Sequence, residues 1–203
     1  SGPYLFTPDS ARRLGREASA IARAEGGSLL ITTSARTGEE ATEALLAAID
    51  VPRFIYRWDL DTTDNPFHAF LGLATRIIVT ADSISMMSEA SSTGKPVLLF
   101  DIEEGQFAMR ADAEARNIGW RGRSLDATLF RLLINHAPPR FSRDLRIVHR
   151  QLVSAGIARW LGDPAPTVVR PVPRDELART VARIRALFGL KSATPPPAGT
   201  PDA

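Results

Sequence analysis

The chain has 203 residues, of which 44% are hydrophobic and 24% charged, as in globular domains that are large enough to bury a core. It contains no cysteine, which excludes disulfides, thiolate metal sites and cysteine nucleophiles. The formal net charge is +2, no nucleic-acid-binding motif accompanies the arginines, and no apolar run approaches the roughly 18 residues of a membrane span. We therefore expect a cytoplasmic protein with no membrane span that binds no nucleic acid.

The first half of the chain alternates helical and strand patterns. Thr37 and Glu40 fit a capping box at the start of one helix, and Asn65 and Pro66 fit the start of another. The predicted elements, in chain order, are a helix over 9–25, a strand over 28–33, a helix over 37–49, a strand over 53–58, a helix over 65–74, a strand over 77–79, a helix between 83 and 94 and a strand over 97–100. This order predicts an α/β fold, namely a Rossmann-like, doubly wound and mostly parallel sheet.

The second half has a less regular pattern. We expect helices over 107–116, 125–136 and 142–155, an extended segment over 164–173, and a last helix over 174–188 with Leu177, Val181, Ile184 and Leu187 facing inward. Residues 191–203 are rich in proline and are predicted to be disordered, which leaves one domain over 1–190. A doubly wound sheet usually opens with a strand before its first helix, so we expect this sequence to belong to a larger architecture.

The segment from Arg76 to Asp101 is the clearest unit. A short apolar strand is followed by a turn at Asp82 and Ser83, a helix of small and polar residues that ends at Gly94, and a second apolar strand. Such a βαβ unit has parallel, buried strands. Ligands of parallel sheets bind where the strands end and the helices begin, because the unpaired helix N–H groups favour an anion there.

One face of this helix carries small hydroxyls and a carboxylate. Ser85, Ser88, Glu89 and Ser92 follow the i, i+3, i+4, i+7 spacing of a helix face. Glu89 could accept two hydrogen bonds from a vicinal diol such as a ribose. The alternative is that this face is simply solvated.

Two turns are expected to meet at one edge of the sheet. Ser34 and Arg36 follow the first strand, and Asp82 and Ser83 follow the third. Because parallel strands end at the same edge, these four residues, with Ser85 and Glu89, form the predicted nucleotide site, where Arg36 could bind a phosphate.

No metal site and no catalytic residue are predicted. The acidic loop over 59–64 has Asp64 where an EF-hand needs glycine, and the three histidines lack the spacing of metal ligands. Structural or surface roles are expected for His68, His136 and His149.

The pattern Glu89-x4-Gly94-x-Pro96, after a strand and an Asp-Ser turn, resembles the nucleotide-sugar site in the C-terminal domain of GT-B glycosyltransferases. In those enzymes the matching glutamate binds ribose hydroxyls, and the helix start faces the diphosphate. The resemblance implies a UDP- or GDP-type nucleotide sugar as substrate, no separate cofactor, metal-independent transfer, and an N-terminal GT-B domain that supplies the acceptor site.

A closer resemblance is to the mitochondrial fission family named for elongated mitochondria (ELM-like), which has many bacterial members. The family shows a T-x-S-x-R-T loop like 32–37, Asn-Pro before a helix like Asn65-Pro66, and VTADSxSMxSEAxxTGKPV like 79–97. The likeness covers roughly residues 28–100 well and 143–188 loosely.

Three functions are compatible with these resemblances. The first is the nucleotide-sugar-binding half of a GT-B-like glycosyltransferase. The second is a non-enzymatic adaptor that recruits a partner protein, as the family resemblance implies for the plant members, and the third is an epimerase-like enzyme of UDP-sugars. An open cleft beside Ser83 and Glu89 would favour a nucleotide, and a cleft filled by side chains would favour the adaptor.

Overall fold

A computed structural model describes residues 5–58, 65–103, 108–110, 145–164 and 176–189 of the chain. The described elements are, in chain order, α1 (Pro8–Ala24), β1 (Leu29–Thr32), α2 (Glu39–Ala47), β2 (Arg53–Tyr56), α3 (Phe67–Leu73), β3 (Ile77–Thr80), α4 (Ile84–Ser92), β4 (Val97–Phe100), α5 (Arg146–Ser154), β5 (Ala158–Trp160) and α6 (Glu176–Leu187). The chain divides into two compact units, Ser1–Pro171 and Val172–Ala203, and α6 belongs to the second.

All described strands are parallel, and they form two sheets. β1 pairs with β2, with Leu29 opposite Arg53, and the second sheet has the order β3-β4-β5, with Ile77 opposite Val97 and Val97 opposite Ala158. The predicted α/β class with parallel strands is confirmed for these residues. The finer likeness to a GT-B domain stays a prediction.

The larger core surrounds β4. All four β4 side chains are buried, and Val79, Met87 and Trp160 from β3, α4 and β5 pack in the same cluster. Such a run of apolar residues is typical of a strand with neighbours on both edges and helices on both faces.

A smaller core lies between α1 and α2. Ala11, Ala41, Ala44, Leu45 and Ile49 form this cluster. Phe6 and Leu14 pack against both cores, so the N-terminal segment and α1 connect the two sheets.

Two predicted helix starts are corrected. α1 begins at Pro8 and is capped by Thr7, whose Oγ1 accepts a hydrogen bond from the Ser10 amide at 3.2 Å. The capping box of Thr37 and Glu40 is wrong, because Gly38, at φ 74°, precedes α2 and the hydroxyl of Thr37 turns back to the Ser34 amide at 2.9 Å.

Further differences lie in the second half of the chain. β5 was not predicted, since it has three residues and follows directly on the turn at Gly156, where φ is 71°. The apolar stripe of α6, predicted to face inward, is exposed at Val181, Ile184 and Leu187, by 39%, 48% and 77%.

Several expectations concern residues that the structure does not describe. These are the helix over 125–136, nearly all of the helix over 107–116 and of the extended segment over 164–173, and the tail beyond residue 190, so the predicted domain boundary stays a prediction. Among the described helices, none is long and apolar enough to cross a bilayer.

Candidate functional site

The start of α4 lies at the carboxyl end of β3. The Ser83 amide donates to the carbonyl of Thr80 at 3.2 Å, which makes the tight turn between strand and helix. Ser83 is the N-cap residue by position, but its buried side chain makes no capping hydrogen bond. The amides of the first turn of α4 are therefore left without a side-chain cap, which is the arrangement in which a helix start can bind an anion.

A groove runs between α3 and α4, with a volume of about 420 Å³. We call it the α3–α4 groove, and it is lined by His68, Leu71, Gly72, Glu89, Ser92, Thr93 and Lys95. Lys95 holds the end of α3, because its Nζ donates to the carbonyls of Leu71 at 2.7 Å and Gly72 at 2.5 Å. A lysine bound to the last carbonyls of a helix also complements the helix dipole.

Glu89 is half-buried at the middle of α4 and contributes its side chain to this groove. Within the described residues its carboxylate has no ion pair and no hydrogen bond. The hydroxyl of Ser92 turns back to its own helix, donating to the Glu89 carbonyl at 2.7 Å. The carboxylate of Glu89 is therefore one acceptor in the groove that a ligand could use.

Arg36 and Asp82 come together across the two sheets. Their side chains lie 3.6 Å apart, with Arg36 Nη1 facing Asp82 Oδ2, and Asp82 is the less exposed of the two. The sequence analysis expected both residues at one sheet edge. In the structure they follow strands of two separate sheets, and the ion pair joins the two loops. It also means that a phosphate at Arg36 must share the guanidinium with Asp82.

The other predicted residues have plainer surroundings. The hydroxyl of Ser34 accepts a hydrogen bond from the Arg36 amide at 3.3 Å and lies 3.3 Å from the hydroxyl of Thr37, so it shapes the loop after β1. Ser85 is exposed on the first turn of α4. The predicted residues thus form two groups, one around the loops after β1 and β3 and one, Glu89, in the α3–α4 groove.

Of the residues that line the groove, the predicted site contained only Glu89, and two of the missed residues, His68 and Lys95, carry ionisable side chains. His68 was expected to be structural or on the surface, and Lys95 was not considered. The sequence does place His68 on a helix next to the predicted unit, because the Asn65-Pro66 start puts it in the first turn of the helix that precedes β3. Asn65 Oδ1 does accept a hydrogen bond at this start, from the Phe67 amide at 3.0 Å.

A second cavity of about 290 Å³ lies at the ends of β4 and β5, where Arg13, Asp101 and Arg110 line it. Burial raises the pKa of the Asp101 carboxyl, although this carboxyl accepts hydrogen bonds from the amides of Glu103, Met109 and Arg110. The Arg110 side chain pairs with Asp163 at 2.7 Å. These contacts are internal to the fold, so we assign Asp101 a structural role in binding the backbone amides of Glu103, Met109 and Arg110.

No group of three or more potential metal ligands occurs in the part of the chain that the structure describes.

A model of the family described as "Mitochondrial fission ELM1" matches residues 1–116, which is more than half of the chain. The chain belongs to this family. The family predicted from the loop over 32–37 and the segment over 79–97 is thereby confirmed, whereas the likeness to GT-B enzymes stays a prediction.

Two curated proteins of similar sequence show how far the likeness extends. "Mitochondrial fission protein ELM1" of Arabidopsis thaliana is 37% identical over 71 residues, which are 35% of this chain and 16% of the plant protein. "Uncharacterized protein RP120" of Rickettsia prowazekii is 41% identical over 71 residues, 34% of this chain and 20% of that protein. The match thus spans a fifth or less of the length of either relative. No solved structure matches the chain.

Proposed function

We propose that this chain of the ELM1 family binds a nucleoside diphosphate, or the corresponding UDP- or GDP-type nucleotide sugar, along α4, as the donor-binding half of a GT-B-like glycosyltransferase. The observation that carries the proposal is the open α3–α4 groove, in which the Glu89 carboxylate has no partner among the described residues. A carboxylate without a partner can accept hydrogen bonds from both hydroxyls of a diol.

α4 offers two groups to a nucleotide along its length, namely the amides of its first turn and the Glu89 carboxylate. The diphosphate would accept hydrogen bonds from the first amides of α4, and the ribose diol would donate to Glu89. The two positions are six residues apart, roughly 9 Å along the helix, a distance that a nucleoside diphosphate can span. Hydrogen bonds to a charged group contribute roughly 1.5–3 kcal/mol each, and an anion at a helix start up to about 2 kcal/mol. Micromolar to millimolar binding requires about 4–8 kcal/mol, so these contacts suffice.

The ion pair of Arg36 and Asp82 would affect the affinity of this site for a diphosphate. A diphosphate at the start of α4 would draw Arg36 partly away from Asp82 and would meet the negative charge of Asp82 itself. Removing that carboxylate, in Asp82→Asn, should therefore strengthen diphosphate binding, provided that the turn at Ser83 is kept.

Glycosyl transfer itself needs a group that activates the acceptor, and among the described residues that line the α3–α4 groove His68 is a possible proton acceptor by residue type. We assign no catalytic role to it, because the GT-B likeness puts the acceptor on a separate N-terminal domain. The proposed function is therefore tested as binding, and only secondarily as transfer.

The binding test is isothermal titration calorimetry of UDP and GDP against the wild type, Glu89→Gln and the control Glu40→Gln, an exposed carboxylate on α2. Glu89→Gln should weaken binding of the better nucleotide by at least tenfold, about 1.4 kcal/mol, and Glu40→Gln should leave it unchanged. The 2′-deoxynucleotide should bind wild type more weakly and be less sensitive to Glu89→Gln. A folded wild type that binds neither nucleotide contradicts the proposal, as does an equal loss in both variants.

A second candidate is a protein-interaction module, and α6 favours it. Val181, Ile184, Leu187 and Phe188 of this segment are exposed, so the helix presents apolar side chains at helical spacing. An amphipathic helix of this kind can bind in the apolar groove of a partner protein. Ile184→Glu should abolish such binding in a pull-down with candidate partners and leave nucleotide binding unchanged.

A further inference from the structure

α3 forms one wall of the α3–α4 groove, but little in its own structure keeps it folded. The helix has seven residues, Phe67–Leu73, and none of these described residues is buried. Isolated helices shorter than about 12 residues are marginal in water, and segments with few buried apolar contacts open first in native proteins. The order of α3 therefore depends on the contacts that attach it to the rest of the fold.

The contacts at the start and middle of α3 lie at the surface. The hydrogen bond from the Phe67 amide to Asn65 Oδ1, at 3.0 Å, is exposed. The ring of Phe70 contacts that of Phe54 edge to face, with the centroids 5.9 Å apart. Because Phe54 is itself 58% exposed, this contact removes little apolar surface from water. We therefore expect both contacts to stabilise α3 only weakly.

The end of α3 has a stronger contact, which Lys95 provides. Its Nζ donates to the carbonyl of Leu71 at 2.7 Å and to that of Gly72 at 2.5 Å. Hydrogen bonds from a charged donor are roughly twice as strong as neutral ones, and this charge also lies at the negative end of the helix dipole. The contact with Lys95 is therefore the strongest polar contact that the structure describes for α3.

Lys95 is itself attached to a well-packed part of the fold. Its amide donates to Thr93 Oγ1 at 3.2 Å, and this hydroxyl donates to the carbonyl of Ala90 in α4 at 2.6 Å. β4 begins two residues after Lys95, and all four of its side chains are buried. The backbone of Lys95 is thus fixed by α4 and the larger core, so α3 is the less stable partner in the contact.

We propose that Lys95 is a positioning residue of the α3–α4 groove, which keeps α3 folded beside Glu89, and that α3 opens as a lid when this contact breaks. Folded α3 contributes His68 and Leu71 to the groove that Glu89 also lines. A ligand that contacts both helices binds only while α3 is folded, so its apparent affinity falls with the folded fraction of α3. This effect on affinity rests on the proposed function, whereas the dependence of α3 on Lys95 does not.

The first test is hydrogen exchange resolved to single amides, without nucleotide, in the wild type and in Lys95→Met. The amides of Phe70 and Ala74, which donate to the carbonyls of Pro66 and Phe70, should exchange at least about tenfold faster in the variant. The Met87 amide in α4 should keep its protection, which shows that the variant is folded. Unchanged exchange of Phe70 and Ala74 overturns the proposal, because α3 would then stay folded without Lys95.

The second test is calorimetry of the same proteins with whichever of UDP and GDP binds the wild type better. Lys95→Met should bind this nucleotide at least about fivefold more weakly, because α3 is then open most of the time. Arg12→Met removes a half-exposed cation from α1 and should change neither the exchange of α3 nor the affinity. A folded wild type that binds neither nucleotide overturns the proposed function, and the exchange experiment still decides whether Lys95 keeps α3 folded.

Gly72→Ala distinguishes positioning by Lys95 from direct contact with the nucleotide. A Cβ at Gly72 would meet nothing within 4 Å, and alanine favours a helix over glycine by up to about fivefold. In Lys95→Met combined with Gly72→Ala, the protection of α3 and the nucleotide affinity should both recover by up to about this factor. Recovery of protection without affinity overturns the positioning role, because Lys95 would then bind the nucleotide itself. Recovery of neither also overturns it, because helix order in α3 would then not limit binding.

Discussion

His149 is a polar residue at the centre of the larger core. It is 1% exposed, its Nε2 lies 2.6 Å from the carbonyl oxygen of Ala81, and its ring contacts that of Trp160 edge to face with the centroids 5.3 Å apart. Because a carbonyl can only accept, Nε2 carries the proton. The bond connects α5 to the turn before α4, so a structural histidine braces the start of the candidate site.

Replacing this histidine with a ring of similar size should lower the free energy of unfolding without creating a cavity. His149→Phe keeps a ring of similar size but leaves the Ala81 carbonyl buried without its donor, which should cost about 1–3 kcal/mol in urea unfolding. His68→Phe, on the exposed side of α3, is the control and should change stability by less than about 0.5 kcal/mol. Equal small effects in both variants would show that the bond to Ala81 contributes little.

The raised pKa of Asp101 predicts the sign of a pH dependence of stability. Burial raises the pKa of this carboxyl above its ordinary value, and burial together with the nearby Asp101 charge raises the pKa of Glu103. The folded state therefore holds these protons more tightly than the unfolded state. Stability contributed by the protonated groups is present at low pH and is lost as pH rises from the unfolded value, about 4, through the raised folded value.

The measurement is the urea midpoint of the wild type and of Asp101→Asn between pH 4 and pH 7. The variant loses one acceptor of backbone amides, so its midpoint should be lower at pH 4. Its midpoint should then fall less with rising pH than that of the wild type, because the amide does not ionise. Parallel pH curves for the two proteins would mean that the Asp101 carboxyl has the same pKa folded and unfolded.

At the scale of secondary-structure elements, the contact of α1 with α2 depends on one glycine. A Cβ built on Gly15 would lie 2.7 Å from the carbonyl oxygen of Leu45 and 3.0 Å from Cβ of Ala48. Gly15→Ala should therefore push the two helices apart and cost about 1–3 kcal/mol, even though alanine is the better helix former.

Gly72 in α3 is the matched control. A Cβ there would meet nothing within 4 Å, so Gly72→Ala should stabilise the protein by up to about 1 kcal/mol through helix propensity alone. Opposite signs for the two variants in thermal or urea unfolding are expected. A stabilising effect of Gly15→Ala would show that α1 and α2 can move apart without lowering the free energy of unfolding.

The helices and strands differ in how far the sequence predicts them. The segment over 76–101 was predicted closely, because apolar runs, a turn and a stop glycine all agree there. The capping box at Thr37 failed, because a threonine hydroxyl can bond a loop amide as readily as a helix amide. β5 has three residues, too few for alternation to be recognised, and its place in the sheet comes from pairing with β4.

The candidate site was predictable in part for the same reasons. A single parallel sheet would place the loops after β1 and β3 at one edge, and Arg36 and Asp82 of these loops do form an ion pair. The two strands lie in separate sheets, so their pairing with other strands does not by itself give this contact. The α3–α4 groove does not follow from strand order either, because the contact of Lys95 with the end of α3 depends on how the two helices pack. Helical spacing predicts which residues of α4 lie on the same face as Glu89. Only the packed structure shows which residues of α3 face it across the groove.

At the scale of the whole molecule, the two hydrophobic cores within Ser1–Pro171 are connected by a side chain of α1 that packs against both. Leu14 packs against both hydrophobic clusters, whereas Ile21, two turns further along the same helix, packs against the larger one. If the Leu14 side chain couples the two sheets, they unfold as one unit. Truncating Leu14 should then lower the stability of both sheets.

Hydrogen exchange in mild denaturant can measure this coupling. The amide of Ile31 reports on the β1-β2 sheet and that of Leu99 on the β3-β4-β5 sheet. Leu14→Ala should lower the opening free energies of both amides by about 1–3 kcal/mol, since it removes half-buried apolar contacts on each side. Ile21→Ala should act more strongly on Leu99 than on Ile31. A Leu14→Ala effect confined to one sheet would mean that the two sheets open independently.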